Sequence, residues 1–183
     1  AVTSVNLATA VSALVNGGRL YKPTLLLDNP QDPKQVIAPQ TSMLMRYLMR
    51  LVVSEGTGKK ADVPGYLIGG KTGSAEKVSQ HGGYDTHNLR TTFAAAFPLD
   101  DPRYVVLTVL DEPKGLKSTY GFATAGWNAA PTTGKIISQI APLLGVFPRL
   151  DAMQPYAPLN NVDLKNITQS IAFITGGARA PAR

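Results

Sequence analysis

Residues 69–74 read Gly-Gly-Lys-Thr-Gly-Ser, and two incompatible folds can be built on them. Counted from Gly65, the stretch Gly65-Tyr66-Leu67-Ile68-Gly69-Gly70-Lys71-Thr72 satisfies G-x-x-x-x-G-K-[ST], the loop with which nucleotide hydrolases wrap a phosphate. Counted from Lys71, the same run suits an extended strand, with Lys71 and Thr72 on opposite faces and Ser74 on the Thr72 side. A phosphate loop must leave a buried parallel strand and open a helix. Here Lys59-Lys60-Ala61-Asp62-Val63-Pro64 precedes it, which is charged and proline-terminated, and Gly82-Gly83 stops any helix soon after it. Tyr66, Leu67 and Ile68 are also too bulky for a backbone that curls around an anion. The run from Val105 to Leu110 ending in Asp111-Glu112 could pass for a magnesium-orienting strand, but a strand buried on both faces explains it as well. The extended reading over residues 66–77 is therefore preferred, with Gly69, Gly70 and Gly73 as points where another backbone or a ligand comes close.

Composition narrows the chemistry further. The 183 residues are 44% apolar, enough to bury one good core or most of a larger one. A net charge of +6 invites a nucleic-acid partner, yet the basic residues are scattered and aromatics reach only 7%, so no nucleic acid is expected. The absence of cysteine excludes disulfides and thiol catalysis. His81 and His87, the two histidines, both fall in a Gly-rich connection, so neither a metal nor a cofactor is expected. No stretch approaches the ~20 apolar residues of a membrane helix.

Periodicity gives the elements. Thr3 or Ser4 can cap a helix with Leu7, Val11, Leu14 and Val15 on one face, stopped by Asn16-Gly17-Gly18. Residues 19–27 suggest a strand weakened by Pro23, and residues 28–39 a polar, proline-rich loop. A second amphipathic helix is expected from Thr41 or Ser42 to Glu55-Gly56, followed by a tight turn at Gly56-Thr57-Gly58. Beyond the Lys-Thr-Gly strand, residues 79–88 suggest a loop. Residues 90–97 and 103–110 suggest two strands joined by Pro98-Leu99-Asp100-Asp101-Pro102. A helix over 126–144 closes the sequence pattern. Helices on a three-stranded meander predict an α+β fold with an antiparallel sheet. Residues 1–146 are expected to form the folded part and 147–183 a loosely ordered C-terminal extension.

In this order the segments resemble the class B penicillin-binding proteins. The residues that carry the likeness are Val2-Thr3 through Leu14-Val15-Asn16-Gly17-Gly18, then Val52-Val53, Gly56-Thr57-Gly58, Ala61, Gly65-Tyr66 and Gly70-Lys71-Thr72-Gly73-Ser74-Ala75. Thr92-Phe93-Ala94, Phe97-Pro98, Pro102-Arg103-Tyr104, Asp111-Glu112-Pro113, Tyr120-Gly121 and Ala129-Ala130-Pro131 continue it to Leu144-Gly145. Lys77-Val78 with Gly83-Tyr84 leans towards the septal, cell-division branch.

The resemblance implies the C-terminal portion of a penicillin-binding/β-lactamase-like transpeptidase fold. It implies a serine-type peptidoglycan D,D-transpeptidase that is acylated by β-lactams and cross-links stem peptides at the periplasmic face of the bacterial inner membrane, its anchor lying outside this chain, with divisome membrane proteins as partners. By the same resemblance Lys71 supplies positive charge and takes part in proton transfer, while Thr72 and Ser74 bind the substrate's terminal carboxylate beside Gly73. The Ser74 N–H serves as an oxyanion donor, each such donor being worth about 3 kcal/mol of barrier. The nucleophile signature Ser-x-x-Lys is read as missing from this chain and is expected upstream of residue 1, in an N-terminal part of the same protein, so this chain alone is expected to be inactive. Ser4-Val5-Asn6 spells the second signature, Ser-x-Asn, but falls in a helix that the family places after it. A non-catalytic recognition module using the Lys71 strand is the alternative function.

Overall fold

The computed structural model describes residues 2–26, 32–78 and 83–149. Helix α1, Ser4–Val15, begins where Thr3 accepts a hydrogen bond from the Asn6 N–H through its side chain, and it presents Val11, Ala13 and Val15 inward. Helix α2, Pro39–Ser54, starts two residues earlier than expected. Proline at the first helical position needs no N–H and carries the right φ, so the helix opens there without a side-chain cap. Ser42 instead accepts from the Gly17 N–H at 3.0 Å and donates to the Leu14 carbonyl at 2.7 Å, tying the end of α1 to the start of α2.

The strand expected over 19–27 reduces to β1, Arg19–Leu20, paired with β2, Lys34–Gln35, inside the segment expected to be a loop. Pro23 lies just beyond β1 and has no N–H to continue the ladder. Residues 27–31 lie outside the described residues.

The main sheet has the order β3-β4-β5, antiparallel throughout, with β3 at Gly69–Val78, β4 at Tyr84–Phe97 and β5 at Tyr104–Asp111. Strand β3 begins three residues later than expected, because Tyr66–Ile68 turn instead: the Ile68 N–H bonds the Tyr66 carbonyl and the Leu99 N–H the Leu67 carbonyl. Strand β4 begins six residues earlier than expected, at Tyr84 rather than Arg90, and pairs with the far end of β3 past a bulge at Glu76/Lys77. Residues 79–82, including His81, lie outside the described residues, as does the side chain of His87.

Alternation along β4 builds two cores. Phe93, Ala95 and Phe97 join Val53, Ala61, Ile68, Ala129, Ala130 and Ile137 on one face; Ala94 and Ala96 join Val11, Val15, Met49, Leu67 and Leu99 on the other. Helices α1 and α2 cover the second face, α1 over β4 and β5 and α2 over β3. The closing helix α3, Ala129–Ile140, covers the first face over β4 and β5. It is shorter at both ends than the expected 126–144: Asn128 caps it by accepting from the Ala129 N–H, and Ala141 to Gly145 form turns. The result is helices, sheet, helix in three layers, the expected α+β architecture.

The Gly65–Thr72 segment is not a phosphate loop. Its last four residues are the first four of an edge strand, and no helix follows them. Asp111 and Glu112 are engaged with Lys77 in any case.

Of the extension expected from 147 onward, the Arg149 N–H bonds the Gly65 carbonyl at 2.9 Å and its guanidinium pairs with Asp100 at 2.6 Å. Residues 150–183 lie outside the described residues. Arg50 makes a comparable tie, bidentate to Asp62 at 2.9 and 3.1 Å and bonded to the Ile68 carbonyl at 2.9 Å, which holds α2 to the entry of β3.

Two glycines of the Lys-Thr-Gly run should respond oppositely to alanine. A Cβ on Gly70 would lie 2.6 Å from Phe93 Cζ and 2.8 Å from the Ala94 carbonyl oxygen, so Gly70→Ala should lower unfolding free energy by about 1–3 kcal/mol. A Cβ on Gly73 meets nothing closer than 3.9 Å. Gly73→Ala should leave stability unchanged or raise it by up to about 1 kcal/mol, since glycine in a strand carries extra chain entropy. Denaturant midpoints of both variants check the pair.

Candidate active-site cleft

The Lys-Thr-Gly-Ser run sits on the outer strand of the sheet, and its register decides what each side chain faces. Lys71 pairs with Ala94, Thr72 with Phe93 and Ser74 with Thr91. Because Ala94 belongs to the α1–α2 face and Phe93 to the α3 face, Lys71 goes one way and the two hydroxyls the other.

Thr72 and Ser74 open into a cleft of about 350 Å³, at the lower end of small-molecule sites. Its walls are the Gly56-to-Lys60 turn on one side and residues 124–127 on the other. Thr57 Oγ1 lies 2.7 Å from Thr72 Oγ1, so one of the two donates to the other. Ser74 Oγ accepts from the Ala125 N–H at 2.9 Å, which leaves its own proton to point into the cleft. The three hydroxyls can thus offer two O–H donors to an acceptor lying among them.

The far wall is held by one side chain. Asn128 accepts from Thr91 Oγ1 at 2.8 Å and from the Ala129 N–H at 2.6 Å, and donates to the Ala123 carbonyl at 2.7 Å. Gly126 completes the arrangement: a Cβ there would stand 2.6 Å from the Thr57 carbonyl, so only glycine lets the two walls approach.

Lys71 lines a separate, apolar groove of about 580 Å³ with Val11, Leu14, Leu48 and Val52, and its ammonium donates to the Thr72 carbonyl at 2.7 Å. The structure therefore brings the Thr72 and Ser74 side chains together at the cleft; Gly73 lies between them on the strand without lining it, and Lys71 goes under the same strand.

One signature requires correction. The string Ser-x-x-Lys does occur in this chain, as Ser74-Ala75-Glu76-Lys77. It lies on β3, not on a helix, where residues three apart share a face. Lys77 bonds Glu112 at 2.7 Å and Asp111 at 3.2 Å. Those carboxylates, Glu112 foremost, raise its pKa above that of a free lysine, so it holds its proton rather than taking one from Ser74. Asp111 is correspondingly lowered, first by Lys77 and then by Arg90. Ser4 and Asn6 lie in the exposed first turn of α1, two residues apart and so on diverging faces, while the Lys71 groove is reached from further along by Val11 and Leu14.

Thr57, Lys60 and Trp127 line the cleft beyond the residues expected from sequence, and Asn128 holds its wall. Thr57 belongs to the Gly-Thr-Gly turn and Trp127 is the single tryptophan, the only signals the sequence offered. Among the described residues no group of three or more His, Asp or Glu could hold a metal, and no helix is long and apolar enough to cross a membrane.

Residues 1–137 match the family described as the penicillin binding protein transpeptidase domain. The chain is 42% identical over 156 residues to the probable peptidoglycan D,D-transpeptidase FtsI of Caulobacter vibrioides, covering 79% of this chain and 26% of that protein. It is 42% identical to stage V sporulation protein D of Bacillus subtilis, covering 84% and 25% respectively. Penicillin binding protein 3 of Mycobacterium tuberculosis, in complex with ampicillin, has a TM-score of 0.72 at 26% identity, over 84% of this chain and 37% of that one. The TP domain of Burkholderia pseudomallei penicillin-binding protein 3 has a TM-score of 0.67 at 32% identity, over 81% and 44%. The chain spans about a quarter of the length of the curated relatives it matches.

Asn128 is the member of this site whose loss stability should report. Asn128→Ala leaves Thr91 Oγ1, fully buried, and the Ala123 carbonyl without their partner. A destabilisation of about 1–3 kcal/mol is expected in denaturant unfolding. Faster hydrogen exchange at the Ala125 N–H should accompany it, because that wall loses its anchor.

Proposed function

Since the chain belongs to the penicillin-binding transpeptidase family, we propose that it is the substrate-binding C-terminal part of a peptidoglycan D,D-transpeptidase that works outside the cytoplasmic membrane, in cell division. The observation that carries this reading is the convergence of the Thr72 and Ser74 hydroxyls in one cleft at the open edge of β3. An edge strand offers alternate N–H and C=O groups to an extended peptide, and two hydroxyls on one face can share its terminal carboxylate.

In the proposed reaction a serine of another segment attacks the penultimate D-Ala carbonyl of a stem peptide. The peptide C–N bond breaks, the terminal D-Ala leaves with a proton on its amine, and the acyl group stays on the serine as an ester. An amine of a neighbouring strand then takes the acyl group, and the serine recovers its proton. A β-lactam enters the first half only. The Ser74 N–H is assigned to the developing oxyanion. Lys71 approaches the reacting centre from the other side of the strand, where the apolar groove lies, and moves a proton there. Peptidoglycan stem peptides and β-lactams are the ligands, and membrane proteins of the division machinery the partners.

This chain by itself should form no covalent adduct with a fluorescent penicillin, because neither Ser74 nor Ser4 has a base beside it. Joined to the segment that carries the helical Ser-x-x-Lys, it should bind one equivalent. A stoichiometric adduct on the chain alone would place the nucleophile on Ser74 or Ser4 and overturn the assignment. A joined chain that folds yet takes no label would leave the non-catalytic recognition module instead.

In the joined chain Lys71→Ala should slow acylation about a hundredfold or more if it moves a proton. Thr72→Val should chiefly weaken binding, by about 1.5–3 kcal/mol, through one lost charge-assisted hydrogen bond. Stopped-flow acylation separates the two, and equal small losses would make β3 structural only.

A further inference from the structure

Hydroxyls alone do not tell an acid from an amide. An O–H donates to a carbonyl oxygen as readily as to a carboxylate, so Thr57, Thr72 and Ser74 cannot by themselves select a free C-terminus. A fixed positive charge can, because only the carboxylate gains from it. Lys71, whose expected role is proton transfer, bonds the Thr72 carbonyl and lines the opposite groove.

Two other lysines line the cleft, Lys59 and Lys60. Lys59 is paired with Glu55 at 3.7 Å, one helical turn away. Lys60 has no carboxylate partner among the described residues; its ammonium rests 4.3 Å from the centroid of the Trp127 ring. That contact places the charge without neutralising it, since the ring offers a quadrupole and no counter-ion. The platform is itself held in place: Phe122 stacks on Trp127 at 5.4 Å with an interplanar angle of 18°, and Tyr120 meets it edge-on at 5.9 Å.

Resting on the reading of the cleft as the terminal-carboxylate site, we propose that Lys60, positioned by Trp127, is the cation that makes this site specific for a free carboxylate. Thr72 and Ser74 orient the carboxylate by hydrogen bonds, and the ammonium of Lys60 supplies the counter-charge from the opposite wall. Trp127 keeps that ammonium out of solvent-wide rotation and sets its height above the cleft floor.

Trp127 is the only tryptophan, so its emission reports occupancy directly. The probes are Nα-acetyl-Lys-D-Ala-D-Ala and the same peptide as its C-terminal amide, titrated into this chain. The acid should bind the wild type roughly ten to a hundred times more tightly than the amide, the range that one charge-assisted contact supplies. Lys60→Met keeps the aliphatic stem over the indole and should lower that acid-to-amide ratio about tenfold while leaving amide affinity unchanged. Lys60→Arg should restore most of it. Lys59→Met should not change it. Raising salt from roughly 0.05 to 0.5 M should erode the preference in the wild type but not in Lys60→Met.

A folded Lys60→Met variant that keeps the full preference overturns the proposal and leaves the carboxylate reading standing. Equal losses from Lys59→Met and Lys60→Met overturn it too, in favour of a diffuse field. If the wild type binds both peptides alike, or neither, the carboxylate reading itself fails and Lys60 falls with it.

Discussion

The pairing of β3 with β4, Lys71 to Ala94, Thr72 to Phe93 and Ser74 to Thr91, divides one short run of residues between two faces of a sheet. A slip of a single position would exchange those faces, sending both hydroxyls into the α1–α2 groove and the lysine into the cleft. Several contacts prevent the slip. The Phe93 ring fills the space beside Gly70 and the Leu99 side chain that beside Gly69, so neither position of β3 has room for a side chain. Phe93 and Phe97 belong to the core that α3 covers, while Ala94 and Ala96 leave room for α1 and α2. Large residues on one face and small ones on the other fix which way β4 lies, and β4 fixes β3.

The cleft then depends on a few polar ties rather than on packing. Thr91, buried under β4's α3 face, donates to Asn128, which also caps α3 and holds the Ala123 carbonyl. The same wall reaches Ser74 through the Ala125 N–H. On the other wall Thr57 touches Thr72, and the close approach of Gly126 joins the two sides. Nearly every donor and acceptor so used has its partner, which holds the walls of the cleft in place. Beside it Lys60 rests on the Trp127 indole rather than on a carboxylate.

Much of this was legible in the residues. Helix α1 announces itself through Thr3 and the Val11–Val15 spacing, and β5 through an apolar run that Thr108 alone interrupts. The Gly-Lys-Thr-Gly-Ser string, in order with its neighbours, identified the family. Boundaries were less legible. Pro39 opens α2 ahead of Thr41 because a proline costs nothing at a first helical position, and Ser42 is taken by α1 instead of capping. Strand β4 runs back to Tyr84 through polar residues because β3 offers it a ladder, not because its side chains favour a strand.

The sequence by itself determined that residues 71–74 alternate, that Lys71 and the hydroxyls would part, and that no phosphate loop could form beside Pro64. Those follow from a period of two and from the bulk of Tyr66, Leu67 and Ile68, which any fold must respect. Only the tertiary structure decided that Ser74-Ala75-Glu76-Lys77, although it spells a nucleophile signature, is a strand whose lysine is held by Glu112 and Asp111. It alone decided that Thr57, Lys60 and Trp127 would face Thr72 and Ser74 across one cleft. Spacing along the chain carries local geometry; which distant side chains share a space, and which charge lies within reach of which hydroxyl, is set by how the layers close on one another.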